Sequence, residues 1–202
     1  MGIQSVRALG WKVVALVALS SLLAGCGINT IPTLDEQVKA AWSQVQNQYQ
    51  RRSDLIPNLV ETVKGAAKQE QATLTAVIEA RAKATSIQVD ASTLNNAEKL
   101  KQFQEAQNQL TGALSRLMVV SERYPELKSN QNFLSLQSQL EGTENRISVA
   151  RRDFILAVER YNTEIRTFPG RLWHAVMYSD LPVRPTFEAT TPDADKAPEV
   201  KF

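Results

Sequence analysis

The residue with the most readily assigned chemistry in this chain is Cys26, its only cysteine. It ends the sequence Leu23-Ala24-Gly25-Cys26, which follows basic residues at positions 7 and 12 and an apolar run that starts at Val13. This order of basic, apolar and small residues is typical of a secretory signal. The last four residues look like a bacterial lipobox, whose cysteine sulfur is thioether-linked to diacylglycerol. We therefore predict a lipoprotein signal peptide over residues 1–25 and acylation of Cys26.

An acylated Cys26 makes membrane lipid the first predicted partner of the chain. Two acyl chains suffice for stable attachment, because each buried methylene contributes about 0.8 kcal/mol. The alternative is an uncleaved signal that serves as the anchor, although its apolar run is shorter than the roughly 20 residues of a membrane span. Gly27 stands where an aspartate would favour inner-membrane retention. We therefore predict an extracytoplasmic domain, on the outer membrane where two membranes are present.

The sequence contains few candidate residues for metal binding or catalysis. The single histidine, His174, has no glutamate three residues before it, which excludes the paired Glu-x-x-His helices of di-metal bundles. The sequence contains no Gly-x-x-x-x-Gly-Lys phosphate loop and no Gly-x-Ser-x-Gly elbow. Asp35 and Glu36 lie near a predicted helix start, where they favour the positive end of the helix dipole rather than acid–base work. We predict no catalytic residue, no metal site, no cofactor and no enzymatic activity.

The charge balance excludes one further class of partner. Removal of the leader leaves 21 of the 23 basic residues against 21 acidic ones. A domain without net charge is a poor nucleic-acid binder, so we predict no nucleic-acid partner.

Charged and polar residues gather at two places that an antiparallel helix pair could bring together. The first group is Arg51, Arg52, Asp54, Asn58 and Glu61, and the second is Glu144, Arg146, Arg151 and Arg152. Arg52 falls on an apolar seam, where an unpaired charge is costly, so it requires a carboxylate, and Glu144 is the long-range candidate. Two interpretations stay open: a polar network that fixes helix register, and a surface that binds a partner protein or an anion.

The elements that must position these residues are long helices. Seam residues recur at alternating spacings of three and four in three segments, which is the heptad pattern of packed helices. The first segment runs from Thr33 to about Ala84. Thr33 and Glu36 form a candidate capping box at its start, and Pro57 predicts a kink rather than an end.

Two further seams complete the predicted fold. The second begins after a cap at Asn95 and ends at Pro125. The third is the most regular, runs from Phe133 to Phe168 and is stopped by Pro169. We therefore predict an all-α fold, an elongated antiparallel up-and-down bundle of three long helices with a short C-terminal helix.

The domain boundaries follow from these patterns. We predict a lipid-anchored linker over residues 26–32, the helical bundle over 33–178 and a disordered tail over 179–202, which is rich in proline and poor in large apolar residues. Within the short C-terminal helix, the apolar group Trp173, Met177 and Tyr178 either caps the end of the bundle or touches the membrane interface.

Several sequence blocks carry a family resemblance. They are Ala41-Trp42-Ser43-Gln44-Val45, the stretch from Arg51 to Gly65, Glu79-Ala80-Arg81-Ala82, Tyr124-Pro125-Glu126-Leu127-Lys128, Asn132-Phe133, Glu144-Asn145-Arg146-Ile147, Ala150-Arg151-Arg152 and Tyr161-Asn162. In this order, across residues 35–169, they resemble the LemA family. The resemblance implies an α-helical up-and-down bundle on the outer side of a bacterial membrane, with no established enzymatic activity. Many members carry an N-terminal transmembrane helix, where this chain has a lipobox.

The functional prediction combines anchor and bundle. We predict a lipid-anchored bacterial envelope protein that acts as a non-catalytic interaction or scaffold module for envelope proteins that the sequence does not identify. The diluted seam of the first helix leaves room for a homo-oligomer. The alternative is an envelope module that binds a small molecule or a metal and has hydrolase activity.

Overall fold

The computed structural model describes residues 27–90 and 94–187. Within these ranges the chain forms helices and no strand, which confirms the all-α prediction. The helices are α1 (Thr30–Ala66), α2 (Gln71–Ser86), α3 (Ala97–Ser121), α4 (Pro125–Lys128), α5 (Gln131–Glu164) and α6 (Gly170–Met177). The predicted signal peptide, Cys26 and the end of the predicted tail lie outside the described residues.

The long helices run up and down in turn. Helix α1 packs along α5 and α2 packs along α3. Trp42 contacts Phe154 and Arg52 contacts Glu144, so α1 and α5 are antiparallel. With 37 residues, α1 is about 55 Å long. We call the end where α1 begins the near end and the other the far end.

The predicted first helix is divided between α1 and α2. The break falls at residues 67–70, and α1 continues through Pro57, as expected. Ala67 is buried and leaves the helical conformation, and Glu70 accepts hydrogen bonds from Arg123 Nη2 (3.1 Å) and Tyr124 Oη (3.0 Å). These partners come from a distant part of the chain, so local helix propensity did not reveal the turn.

Two predicted caps are displaced. Helix α1 begins at Thr30, so Thr33 lies inside it, donates from Oγ1 to Asn29 O (2.7 Å) and forms no capping box. The earlier start is compatible with Pro32, because a first-turn residue needs no amide donor. At α3 the cap is Asn96, which accepts from Lys99 N at 3.1 Å, rather than Asn95.

A layer of buried polar residues divides the interior into two apolar clusters. The far cluster includes Leu59, Leu117 and Phe133, and the near cluster includes Trp42 and Phe154. The side chains of the polar layer are those of Arg52, Ser53, Gln104, Gln107 and Thr143, all buried. The bundle therefore has two apolar cores stacked along its length.

The segment after α6 differs from the predicted disordered tail. Residues 182–187, here called the strap, lie across the near end of α1 and α5, where Arg184 and Phe187 are buried. The Phe187 ring centroid is 5.9 Å from that of Trp42 and 5.5 Å from that of Phe154. The proline content predicted disorder for this segment, but the burial of two side chains is enough to hold a short extended segment against the bundle.

Helix α6 closes the near end. Trp173 and Tyr178 are partly buried against the near cluster, in agreement with the capping alternative, whereas half of Met177 remains exposed. Among the helices of the described residues, none combines the length and the apolar character that a membrane span requires.

Candidate functional site

Arg52 is the centre of the polar layer. Its side chain is 1% exposed, and its guanidinium donates from Nη1 to Glu144 Oε1 (2.7 Å) and to Thr111 Oγ1 (2.8 Å). From Nη2 it donates to Gln107 Oε1 at 2.5 Å. The predicted pairing of Arg52 with Glu144 is therefore confirmed.

The network around Arg52 joins all four long helices. Gln107 accepts from Arg52 and donates from Nε2 to Ala84 O (3.3 Å), so the contacts extend from α1 through α3 to α2, while Glu144 belongs to α5. A buried guanidinium requires such partners, since an uncompensated charge costs several kcal/mol. The geometry favours the interpretation in which these groups fix the register of the helices.

The remaining predicted site residues do not form one patch. Those on α1 are exposed, and two have local partners: Asp54 accepts from Gln50 (2.7 Å), and Glu61 lies 3.7 Å from Lys64 Nζ. On α5, Arg152 contacts its neighbour Asp153 at 3.4 Å. The antiparallel register places Glu61 and Arg152 about 25 Å apart along the bundle axis. By the same register, exposed Arg51 lies about 10 Å and exposed Asn58 about 21 Å from the level of Arg152 along the axis.

Arg151 has a structural contact that its sequence context did not indicate. Its guanidinium carbon lies 4.3 Å from the ring centroid of Phe187, a cation–π geometry. This side chain therefore covers the strap, a role distinct from the predicted partner binding.

Arg146 lies beside a solvent-open groove between α1 and α5. We call it the α1–α5 groove; its volume is about 360 Å³, and it is lined by Ala41, Gln44, Gln48, Asn145, Arg146, Val149, Ala150 and Asp153. The floor is largely apolar, with Val149 47% exposed. The buried Oε1 atom of Gln48 has no hydrogen-bond partner among the described residues. The groove thus combines an apolar floor, the hydrogen-bond acceptor of Gln48, the positive charge of Arg146 and the negative charge of Asp153.

A second cavity lies on the other side of α1, beside the polar layer. This interhelical pocket has a volume of about 200 Å³ and is lined by Gln46, Tyr49, Gln50, Ser53, Ala84, Thr85, Ile87, Gln88, Val89, Phe103, Gln107 and Leu110. The hydroxyl of Ser53 is buried and has no hydrogen-bond partner among the described residues. Burial raises the pKa of the Tyr49 hydroxyl in its wall. No charged side chain lines this pocket, so it suits a small neutral polar molecule.

A second buried ion pair joins the strap to α1. Arg184 contacts Asp35 and Asn95, and its backbone exchanges two hydrogen bonds of 2.9 Å with the Asn162 amide. Burial raises the pKa of Asp35, but the hydrogen bonds from Lys39 and Arg184 outweigh it, so the net pKa lies below its ordinary value. The sequence interpretation of Asp35 as a helix-dipole residue missed this pair, because nothing local identifies Arg184 as its partner.

His174 and the carboxylates of the described residues do not converge. His174 Nε2 lies 2.7 Å from Leu181 O, and no group of three histidine, cysteine, aspartate or glutamate side chains in residues 27–90 and 94–187 is placed to hold a metal ion.

Comparison with known proteins gives two findings. The LemA family model matches residues 41–202. Two curated proteins of Paramagnetospirillum magneticum strain AMB-1, Magnetosome protein MamQ 1 and Magnetosome protein MamQ 2, are each 27% identical to this chain over 157 residues. The alignment covers 70% of this chain and 58% of each relative, so the chain spans less than two thirds of the length of these relatives.

Proposed function

This chain belongs to the LemA family, and we propose that it is a lipid-anchored bacterial envelope protein that binds another protein through the α1–α5 groove without catalysis. The lipid would be carried by Cys26, and the bundle would face the extracytoplasmic side, on the outer membrane where two membranes are present. Family membership supports association with the envelope, and the lipobox supports the mode of attachment.

The observation that carries the interaction proposal is the α1–α5 groove. Burial of the exposed Val149 by a partner is favourable, and the Gln48 oxygen beside it is already buried without a hydrogen bond, so a donor from the partner that reached it would be a net gain. Arg146 and Asp153 are seven residues apart on α5, so they lie two turns apart on one helix face. These features fit an amphipathic helix of a partner protein, laid in the groove with an acid facing Arg146 and a base facing Asp153.

Arg52 and Glu144 serve this proposal indirectly. Their ion pair holds α1 against α5 in one register, and the width of the groove depends on that register. In this proposal the two residues position the binding surface, while Arg146 contacts the partner.

Site-specific cross-linking in intact cells tests the proposal. A photoreactive residue would replace Val149 in the groove or, as the matched control, Ile78 on α2, which is 51% exposed against 47% for Val149. We expect position 149 to capture a defined set of envelope proteins and position 78 to capture none of them. The capture should disappear in the Cys26→Ala chain, which lacks the lipid attachment.

Charge changes at the ends of the groove distinguish a specific partner from random neighbours. Arg146→Glu should abolish the cross-links from position 149, whereas Arg116→Glu, an exposed arginine on α3, should leave them intact. Equal capture at positions 149 and 78, or capture unaffected by Arg146→Glu, would contradict the groove proposal. A product of twice the chain mass would identify a second copy as the partner.

The interhelical pocket favours a second candidate function, the binding of a small neutral polar molecule. The unpaired Ser53 hydroxyl is the observation behind it. Mass spectrometry of small molecules released from the denatured native protein tests this candidate. A stoichiometric polar compound retained by the native chain and lost in Ser53→Val would support it; equal release from both chains would count against it. For the metal-binding version of the alternative, the described residues contain no group of three histidine, cysteine, aspartate or glutamate side chains placed to hold a metal ion.

A further inference from the structure

The near end of the bundle carries a group of large apolar side chains that the described residues leave exposed. They are Phe168 (85% exposed), Leu172 (53%), Val176 (70%) and Met177 (50%), here called the α6 patch. Isolated exposed apolar residues are normal, but a contiguous group of large ones marks an interaction site.

The helical period of α6 places part of the patch on one face. Leu172 and Val176 are four residues apart within the helix, so their side chains share one side, and Phe168 lies in the turn just before it. Trp173 and Tyr178 pack against the near cluster, whereas Met177, four residues after Trp173, remains half exposed. Helix α6 is therefore attached to the bundle by one face and leaves the apolar one open.

The N-terminal chain enters the bundle at this same place. A methyl group built on Gly27 would lie 3.9 Å from Trp173 Nε1 and 4.0 Å from Pro169 Cγ. Gly27 is bonded to Cys26, and consecutive Cα atoms are only 3.80 Å apart. An acyl group on Cys26 would thus be attached one residue from Gly27, which lies beside α6.

The Trp173 indole adds an independent observation. Its Nε1 atom is buried and has no hydrogen-bond partner among the described residues, although indole N–H groups normally find an acceptor when buried. It lies beside Gly27, where the N-terminal end of the described chain meets α6.

We propose that the α6 patch inserts into the interface of the lipid bilayer to which the chain is anchored. This inference rests on the membrane attachment in the proposed function and goes further, because it assigns an orientation to the bundle. Eight residues are too few to bind a bilayer alone, so the anchor recruits the chain and the patch fixes its tilt.

The charges beside the patch are compatible with this partner. Arg166 and Arg171 are exposed and form no ion pair within the described residues, so both are available to lipid phosphates. Asp180 is also exposed, but it follows α6 rather than preceding it. The two arginines therefore lie at the end of α6 beside Gly27, together with Glu164, whose Oε1 would be 2.6 Å from a methyl group built on Gly170.

Two positions of equal exposure give a controlled test. Val176 and Val119 are both 70% exposed, but Val119 lies at the far end of α3. The full chain with Val176→Cys or Val119→Cys would be lipidated in cells and purified. The new cysteine would be labelled with an environment-sensitive NBD dye, and the protein would be placed in vesicles of phosphatidylethanolamine and phosphatidylglycerol. Acylation blocks Cys26, and the parent chain serves as the labelling blank. We expect a blue shift and quenching by nitroxide lipids at position 176 and neither effect at position 119.

The outcomes separate this inference from the proposed function. Co-sedimentation with vesicles together with a water-like signal at position 176 would overturn the membrane orientation and leave the anchor intact. Absence of co-sedimentation would overturn both. A blue shift at position 176 that nitroxide lipids do not quench would mean that protein, not lipid, covers the patch. If the blue shift grows with protein concentration, the cover is a second copy of the chain. If it does not, the cover is residues 13–23 of the same chain. Either result would also overturn the inference.

Discussion

Arg52 and Arg184 are buried guanidinium groups in one bundle, but their carboxylate partners differ in their access to water. The Glu144 side chain is 39% exposed, whereas that of Asp35 is 4% exposed. Glu144 can turn toward solvent if its partner is lost, but Asp35 cannot without movement of the strap. The two ion pairs therefore respond differently to mutation and to pH.

At the Arg52 network, Glu144→Ala should lower the free energy of unfolding by about 1–3 kcal/mol, because it leaves the buried Arg52 without its counter-charge. The control Glu61→Ala removes an exposed contact to Lys64 and should change stability by less than about 0.5 kcal/mol. Urea denaturation of both variants checks the prediction. Equal effects would mean that Arg52 is satisfied by Gln107 and Thr111 alone.

At Asp35, stability should decrease as the pH falls. The folded-state pKa lies below the ordinary value of 3.8, so the unfolded chain takes up the proton first. The contribution of this carboxylate is complete above pH 3.8 and is lost as the pH falls through the folded-state value. Denaturation midpoints at pH 7 and pH 3 should therefore differ less in Asp35→Asn than in the native chain. The exposed control Glu159→Gln should keep the native difference.

At the scale of elements, the strap depends on the aromatic contact of Phe187. Phe187→Ala should lower the free energy of unfolding by about 3 kcal/mol, because it leaves a cavity between Trp42 and Phe154. Arg151→Ala should cost about 0.5–1 kcal/mol in the native chain and almost nothing in the Phe187→Ala background, since its cation–π partner is then absent. A double-mutant cycle by thermal unfolding measures this coupling. Additive effects would mean that Arg151 stabilises the bundle without the strap.

The helices and their pairing could be predicted from the sequence because they depend on periodicity. The spacing of apolar residues determines which helix face is buried, and it identified Arg52 as a seam residue that needs a distant acid. The break at Ala67 and the strap depend on partners far along the chain, namely Tyr124 for Glu70 and Asp35 for Arg184. No local pattern encodes such pairs. The α1–α5 groove was missed for a similar reason, since it exists only where two helix faces meet.

At the scale of the whole molecule, the polar layer separates two apolar cores and fixes the register of the helices that form them. Arg52→Leu combined with Gln107→Leu would join the cores and remove the groups that specify register. We expect a bundle that stays folded, because hydrophobic replacement of a buried polar network is often neutral or stabilising, but packs less uniquely. Far-ultraviolet circular dichroism should be retained while the dispersion of methyl resonances decreases. Native-like dispersion would mean that the apolar seams specify the register without the polar layer.

The link between Arg184 and Asp35 joins residues 149 positions apart in the chain. During synthesis α1 emerges first, and its near end cannot bind the strap until all of α5 has followed. A chain interrupted before residue 184 would lack Phe187, whose ring centroid is 5.9 Å from that of Trp42 and 5.5 Å from that of Phe154, so both rings would lose this cover. We expect a protease to cut such a shortened chain at the near end more readily than the full chain, in which the ion pair and the strap cover that end.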